Sequence, residues 1–390
     1  MSESRFIEPL DVLFLRGNHS FGDPGDVGHS IMPPSPAVLS GTIRSWLLVD
    51  AGIDPVAFAR DEVAHPWLGT PRNPGDFSLR RVAIGRRLDA QRAEPLFPLP
   101  ADLIVLADGI DGQTVPRIHR LRPQAFGTPG QGSCAALLGS TPLPTVAMLQ
   151  ASRRAKPLGG FMIDATGYRD ALHGEVPEPA RLLRTDQLWS TELRVGIGLS
   201  AQHGRVEEGR LFTAEAIAPV RGVSGSTVGF CVAVDGCNGT LPDAGMLRLG
   251  GDGRGAVLGP AIIDWPAVDL ATVVAARRCR VVLDSPGLFP DGWRLPGMER
   301  DGRWRLGDVS ARVTCAAVPR CRVISGFDVA RGRPKRAERA APTGSVYWLE
   351  DLDADTDTLA ALLAHGLWPD NGTDKHRRAE GFNRFSFGLY

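Results

Sequence analysis

The sequence predicts an α+β protein with antiparallel sheets, and three observations carry that prediction. Few segments space their apolar residues as a helix does, whereas short β-branched or aromatic runs are numerous. Gly and Pro supply 46 and 31 of the 390 residues without any period, so frequent turns are expected in place of long helices. At roughly 100–200 residues per domain the length points to two domains, and 43% hydrophobic residues are ample for buried cores.

The elements follow in chain order. Residues 12–15 and 103–106 read as strands. The clearest helix opens at Ser35 and Pro36, an N-cap residue followed by proline at the first helical position. Leu39, Ile43, Trp46 and Leu47 then keep helical spacing up to a stop at Gly52. Shorter helices are expected over 164–172 and 186–192, and a hairpin pairing 193–199 with 210–216 around a 202–209 loop. Further strands are expected over 227–234, 279–283, 312–318, 322–327 and 345–349. A last helix starts near Thr356 and carries Leu359, Leu362 and Leu363 on one side. No internal repeat is visible, and the weakest join is GEVPEP at 174–179, which divides the chain into 1–178 and 179–390.

Charge and motifs exclude several classes. Lys+Arg and Asp+Glu are 44 each, with Lys only at 156, 335 and 375, and this neutral total rules out a histone-like coat on nucleic acid. The first residues lack a basic segment followed by an apolar one, and no run approaches the ~18 apolar residues of a spanning helix. A soluble, cytoplasmic chain is therefore expected. The six cysteines form no CxxC, and the 231/237 and 315/321 spacings match no common zinc pattern, so buried, reduced thiols are expected. There is no Walker A, GxSxG, HExxH or dinucleotide fingerprint. The acidic run 350–357 lacks EF-hand spacing and reads as the negative entry to the Thr356 helix. Neither a metal nor a cofactor is expected.

Four segments carry a family resemblance. The first, DVLFLRGNHSFGDPGDVGHSIMPPSPAVLSGTIRSWLL, is a strand with Asp11 and Arg16, a glycine-rich loop, and a helix with Gly41 and Arg44. TELRVGIGLSAQHGRVEEGRLFTAEAI (191–217), MLRLGGDGRGAVL (246–258) and ISGFDVARGRPKRAERAAPTGSVYWLE (324–350) follow in the same order as in the family. Together they resemble the RAMP proteins of type III-B CRISPR systems, most closely the family of the third-named subunit of the Cmr effector complex. The glycine-rich terminal loop of that family is represented only by GFNRFSFGLY, with Gly381 and Gly388. The resemblance implies two ferredoxin-like, RRM-type domains with inserted hairpins and loops. It also implies a non-catalytic role in antiviral defence, gripping the 5′ tag of the crRNA. The implied partners are the large palm-domain subunit and the backbone RAMP subunits, with no membrane involved.

The residues can be read on their own. The first turn of the Ser35 helix offers unpaired N–H groups and a positive dipole end to an anion. Ala37, Gly41, Arg44 and Ser45 share the face opposite the apolar stripe, where a small-residue surface with one Arg suits a phosphate backbone. Alternatively that face packs on the sheet with Arg44 in an ion pair. Residues 331–339 carry a net +4 in a Gly- and Pro-containing loop, with Arg331, Arg333, Lys335 and Arg336 as the candidate RNA ligands. Residues 72–92 also carry +4, through Arg72, Arg80, Arg81, Arg86, Arg87 and Arg92 against two Asp, and either bind RNA or form ion pairs. Smaller groups lie at 117–122, 375–378 and 153–156, the last with Arg153, Arg154 and Lys156 as further RNA candidates. Gly250 and Gly251 form either a phosphate-cradling loop or a tight turn. His19 and His29 would be the general bases if the chain were instead a metal-independent RNA endonuclease.

Overall fold

The run VGFCVAV within Val228–Asp235 alternates nothing: all seven side chains are buried, as expected of a strand covered on both faces. It sits at the centre of an eight-stranded antiparallel sheet in the computed structural model, which describes residues 2–17, 27–110, 113–125, 143–149, 155–200, 202–221, 226–328, 332–369 and 371–390. Glu3–Pro9 lies on one side of it, followed outward by Arg254–Pro260 and Gly245–Leu249. On the other side lie Ser78–Arg87, Ala93–Pro98, Phe161–Ile163 and Leu182–Arg184.

The helix Pro36–Asp50 covers this sheet with Leu39, Ile43, Trp46 and Leu47. Gly245 lets the Trp46 indole lie directly on the strand, since a Cβ there would stand 2.4 Å from the ring. Gly52, at φ +66°, ends the helix as expected. Ser35 occupies the N-cap position but its hydroxyl makes no cap bond. Asp164 does cap Ala165–Leu172, accepting from the Gly167 N–H at 2.8 Å.

A second antiparallel sheet has the order Arg303–Leu306, Val309–Ala317, Val346–Asp353, Cys279–Leu283, Phe385–Gly388. Helix Thr356–His365 packs Leu359 and Leu362 against it, capped by Asp355 on the Thr358 N–H at 2.7 Å. Its core, with Val281, Trp304, Tyr347, Trp348 and Phe385, continues through Phe97, Ile163 and Tyr168 into the first sheet. Polar contacts reinforce that seam. Tyr168 donates to Asp284 at 2.8 Å, and Arg384 donates to Ser78 Oγ at 2.7 Å. The fully buried Asp102 pairs with both Arg120 and Arg280.

The first sheet draws its strands from within 3–9, 78–98, 161–184 and 228–260, and the chain passes to the second sheet over 261–278. Several expected elements are corrected. Residues 12–17 make only isolated bridges to Ile217, Gly251 and Ser30, and the sheet strand is Glu3–Pro9. In place of a helix over 186–192 there is one 3-10 turn, Thr185–Gln187, and then the strand Trp189–Leu199. That strand pairs with Val206–Pro219 in a hairpin longer than expected, with Leu193 opposite Glu215 and Ile197 opposite Leu211. GFNRFSFGLY is interior rather than a surface loop, because Phe382, Phe385 and Phe387 are buried. Four of the described cysteines are buried, whereas Cys321 is exposed; Cys134 lies outside the described residues.

Candidate nucleic-acid interface

The region 320–340 folds into a two-stranded ribbon. Arg322–Ile324 pairs with Glu338–Ala340, and Phe327–Asp328 with Arg333–Pro334. Within the expected loop 331–339, Arg333, Pro334, Glu338 and Arg339 are thus held in ladders. Arg333 and Arg336 are exposed on it. Lys335 instead turns inward and forms an ion pair with Glu380. Arg331 lies outside the described residues.

Glu380 follows the short helix Lys375–Ala379 and ties three parts of the chain together. One carboxylate oxygen takes Lys335; the other takes Arg377 at 3.1 Å, whose guanidinium also holds Glu338 at 2.8 Å. Arg44, from the Pro36–Asp50 helix, enters the same electrostatic neighbourhood. Burial lowers its pKa, and the charge of Glu380 only partly opposes this. Arg44 has no hydrogen bond or ion pair among the described residues, while both oxygens of Glu380 are already engaged. His376 completes the group. Burial lowers its pKa first; the charges of Asp374 and Glu380 oppose this, while those of Arg44 and Lys335 add to it. Lys335, Arg377 and Arg44 thus face Glu380, Glu338 and Asp374, and the guanidinium left without a hydrogen bond of its own among the described residues, Arg44, is the one with the chemistry to receive a phosphate.

The helix face bearing Arg44 is open rather than packed. Gly41 and Ser45 are exposed, and a Cβ at Gly41 would meet nothing within 4 Å. Ser35 heads this helix, and its hydroxyl oxygen is buried without a partner.

Arg16, Gly250 and Gly251 form a separate group. The Arg16 guanidinium is 3.9 Å from Asp252, and the Gly251 N–H donates to the Phe14 carbonyl at 2.7 Å. With that N–H committed and Gly250 at φ +74°, the glycine pair is a tight turn, not an open cradle of amides. Lys156 is exposed, and Arg153 and Arg154 lie outside the described residues.

The other basic segment resolves into internal contacts. Arg86 pairs with Glu94 at 2.8 Å, Arg92 with Asp89 at 2.7 Å and Arg72 with Asp61 at 3.3 Å. Arg80 donates to the Leu363 carbonyl, Arg81 lies over Trp265 and Arg87 over Phe6. His29 is engaged by Glu215 at 3.0 Å, and His19 is not among the described residues. No group of three or more metal-ligating side chains occurs among the described residues, and no described helix is long and apolar enough to cross a membrane. Glu380 and His376 escaped sequence reading. KHRRAE looked like a solvated basic run, and nothing local signals that its Glu meets a lysine 45 residues earlier.

Fold and charge alone do not name the class; comparison does, and it is that of a CRISPR-associated protein. The match to such a family is direct: residues 5–389 fit the CRISPR-associated protein family Cas_Cmr3. The chain belongs to that family, and so to the subunits of type III-B Cmr complexes. Among solved structures, a chain of the cryo-EM structure of the Type III-B Cmr-beta bound to cognate target RNA and AMPPnP, state 1, is similar. Its identity is 13%, over 99% of this chain and 98% of that one, with a TM-score of 0.46. A chain of the cryo-EM structure of the Type III-B Cmr-beta bound to cognate target RNA is similar at 14% identity. That likeness covers 89% of this chain and 86% of the other, with a TM-score of 0.42. No curated protein matches the sequence.

Proposed function

We propose that this subunit is a non-catalytic RNA grip, holding the 5′ tag of the crRNA and docking the large palm-domain subunit and the backbone RAMP subunits in antiviral defence. One observation carries the reading. Arg44 and Lys335, chosen from segments almost 300 residues apart, meet around Glu380 beside the exposed Arg333 and Arg336. Arg16 and Lys156 are secondary contacts in this reading.

What supports subunit docking is the hairpin Trp189–Leu199/Val206–Pro219. Leu193, Val195, Ile197 and Leu211 stand exposed on one of its faces, an apolar row of the kind that partners cover. We also read each sheet as a ferredoxin-like unit, with the domains divided between 260 and 279. Both sheets contain four strands ordered fourth, first, third, second, and each keeps one of the two expected helices.

The test is the triple variant Arg333→Ala/Lys335→Ala/Arg336→Ala in the full chain. Because Lys335 is internally paired, the counterion slope of crRNA binding should flatten by about two units rather than three. A folded variant with unchanged affinity and slope removes the ribbon from the RNA site.

A further inference from the structure

Among the described residues, every large apolar side chain that stands exposed is aliphatic except one. Phe327 is 56% exposed. The other described aromatic rings are buried or half-buried, so an open phenyl face is an exception to how this chain disposes of its aromatics.

Its position is fixed. Phe327 pairs with Pro334, and the neighbouring Lys335 N–H donates to the Gly326 carbonyl at 2.8 Å. Residues directly opposite in an antiparallel pair share a face, so the ring stands beside the Pro334 ring. Asp328 and Arg333 share the other face. The described residues of 320–340 contain six Lys or Arg against two carboxylates, and one of these, Glu338, is held by Arg377. A protein partner recognising this site would meet a small apolar surface inside a strongly cationic one. A single-stranded polyanion with flat bases meets both features at once.

We infer that Phe327 is a stacking platform for one unpaired nucleobase of a single-stranded RNA that crosses the edge of the ribbon, its phosphates held by the exposed Arg336 and, from the other face, by Arg333. This rests on the RNA-grip reading and adds to it the residue that engages a base rather than the backbone. Stacking on a phenyl face tolerates any base, so Phe327 positions the strand without reading its sequence.

The experiment uses the full chain, a single-stranded RNA of about eight nucleotides, and a fluorescent purine analogue placed at each position in turn. One position should show quenching on binding. Phe327→Ala should abolish that quenching and weaken binding about ten-fold, toward the low end of base–aromatic stacking, with the salt slope unchanged. Phe327→Trp should retain both quenching and affinity. The double variant Arg333→Ala/Arg336→Ala should instead flatten the slope. If the Arg variant weakens binding while Phe327→Ala matches the parent, the stacking role fails and the grip stands. If the parent chain binds no RNA, both fail. Full RNA affinity of Phe327→Ala together with impaired assembly into the complex overturns the inference in favour of a protein contact.

Discussion

Burial sets the chemistry of individual side chains throughout this molecule. It pushes the thiols of Cys237 and Cys279 up to about 12 and that of Cys315 up to about 11, and raises Cys231 further. At about pH 8 these four thiols should resist alkylation in the folded chain while Cys321 reacts. Peptide mapping by mass spectrometry checks this, and early labelling of Cys279 would contradict the buried second sheet. The same physics explains why Arg44 was legible only in part. Its face was evident from spacing, since Gly41 and Ser45 flank it without bulk. Its lack of a partner was not, because that depends on Glu380 being engaged by Lys335 and Arg377.

At the scale of elements, those defined by local signals were the legible ones. The Ser35–Pro36 start, the helix expected over 164–172 and the Thr356 helix depend on neighbours within a turn, and all were found in place. The strand Cys279–Leu283 stood out through its β-branched Val281 and Val282 and the turn residues that follow it. Thr185–Leu199 was misread at its start, since Asp186 and Gln187 suit a turn or a helix equally and only pairing with Val206–Pro219 decides for strand. The Leu103–Ile110/Gln113–Arg120 hairpin shows how elements are locked together. Asp102 at its base accepts from Arg120 and from Arg280 of the second sheet, and burial brings Arg120 down to about 10 against the pull of that carboxylate. Asp102→Ala leaves two buried guanidinium groups facing each other without their counter-ion. It should lower stability by about 3–5 kcal/mol in denaturant unfolding, and a loss under ~1 kcal/mol would place the pair near the value of a surface contact.

For the whole molecule, a neutral total conceals an uneven distribution. Each of the six Arg of residues 72–92 is engaged, by Glu94, Asp89, Asp61, a carbonyl or a ring, whereas the ribbon presents Arg333 and Arg336 exposed. Sequence charge alone could not separate these two segments, because partner geometry and not net charge decides which cations face water. The expected outcome for catalysis follows from the same disposition, with His29 held by Glu215. Labelled repeat RNA incubated with the purified chain and EDTA should remain intact. Specific cleavage that disappears in His19→Ala or His29→Ala would replace the grip by a nuclease.

The place of Glu3–Pro9 has a consequence for biogenesis. Phe6 and Ile7 have no exposed surface, yet the strand pairs only with Val228–Asp235 and Arg254–Pro260, more than 200 residues later. During synthesis this strand therefore waits for more than 200 further residues before it can be covered. The second sheet repeats the pattern, since Cys279–Leu283 receives its outer neighbour only with Phe385–Gly388. Such long-range pairing slows folding and leaves apolar edges open to aggregation meanwhile. Production of this subunit thus depends on what shields Glu3–Pro9 until residues 228–260 have been made.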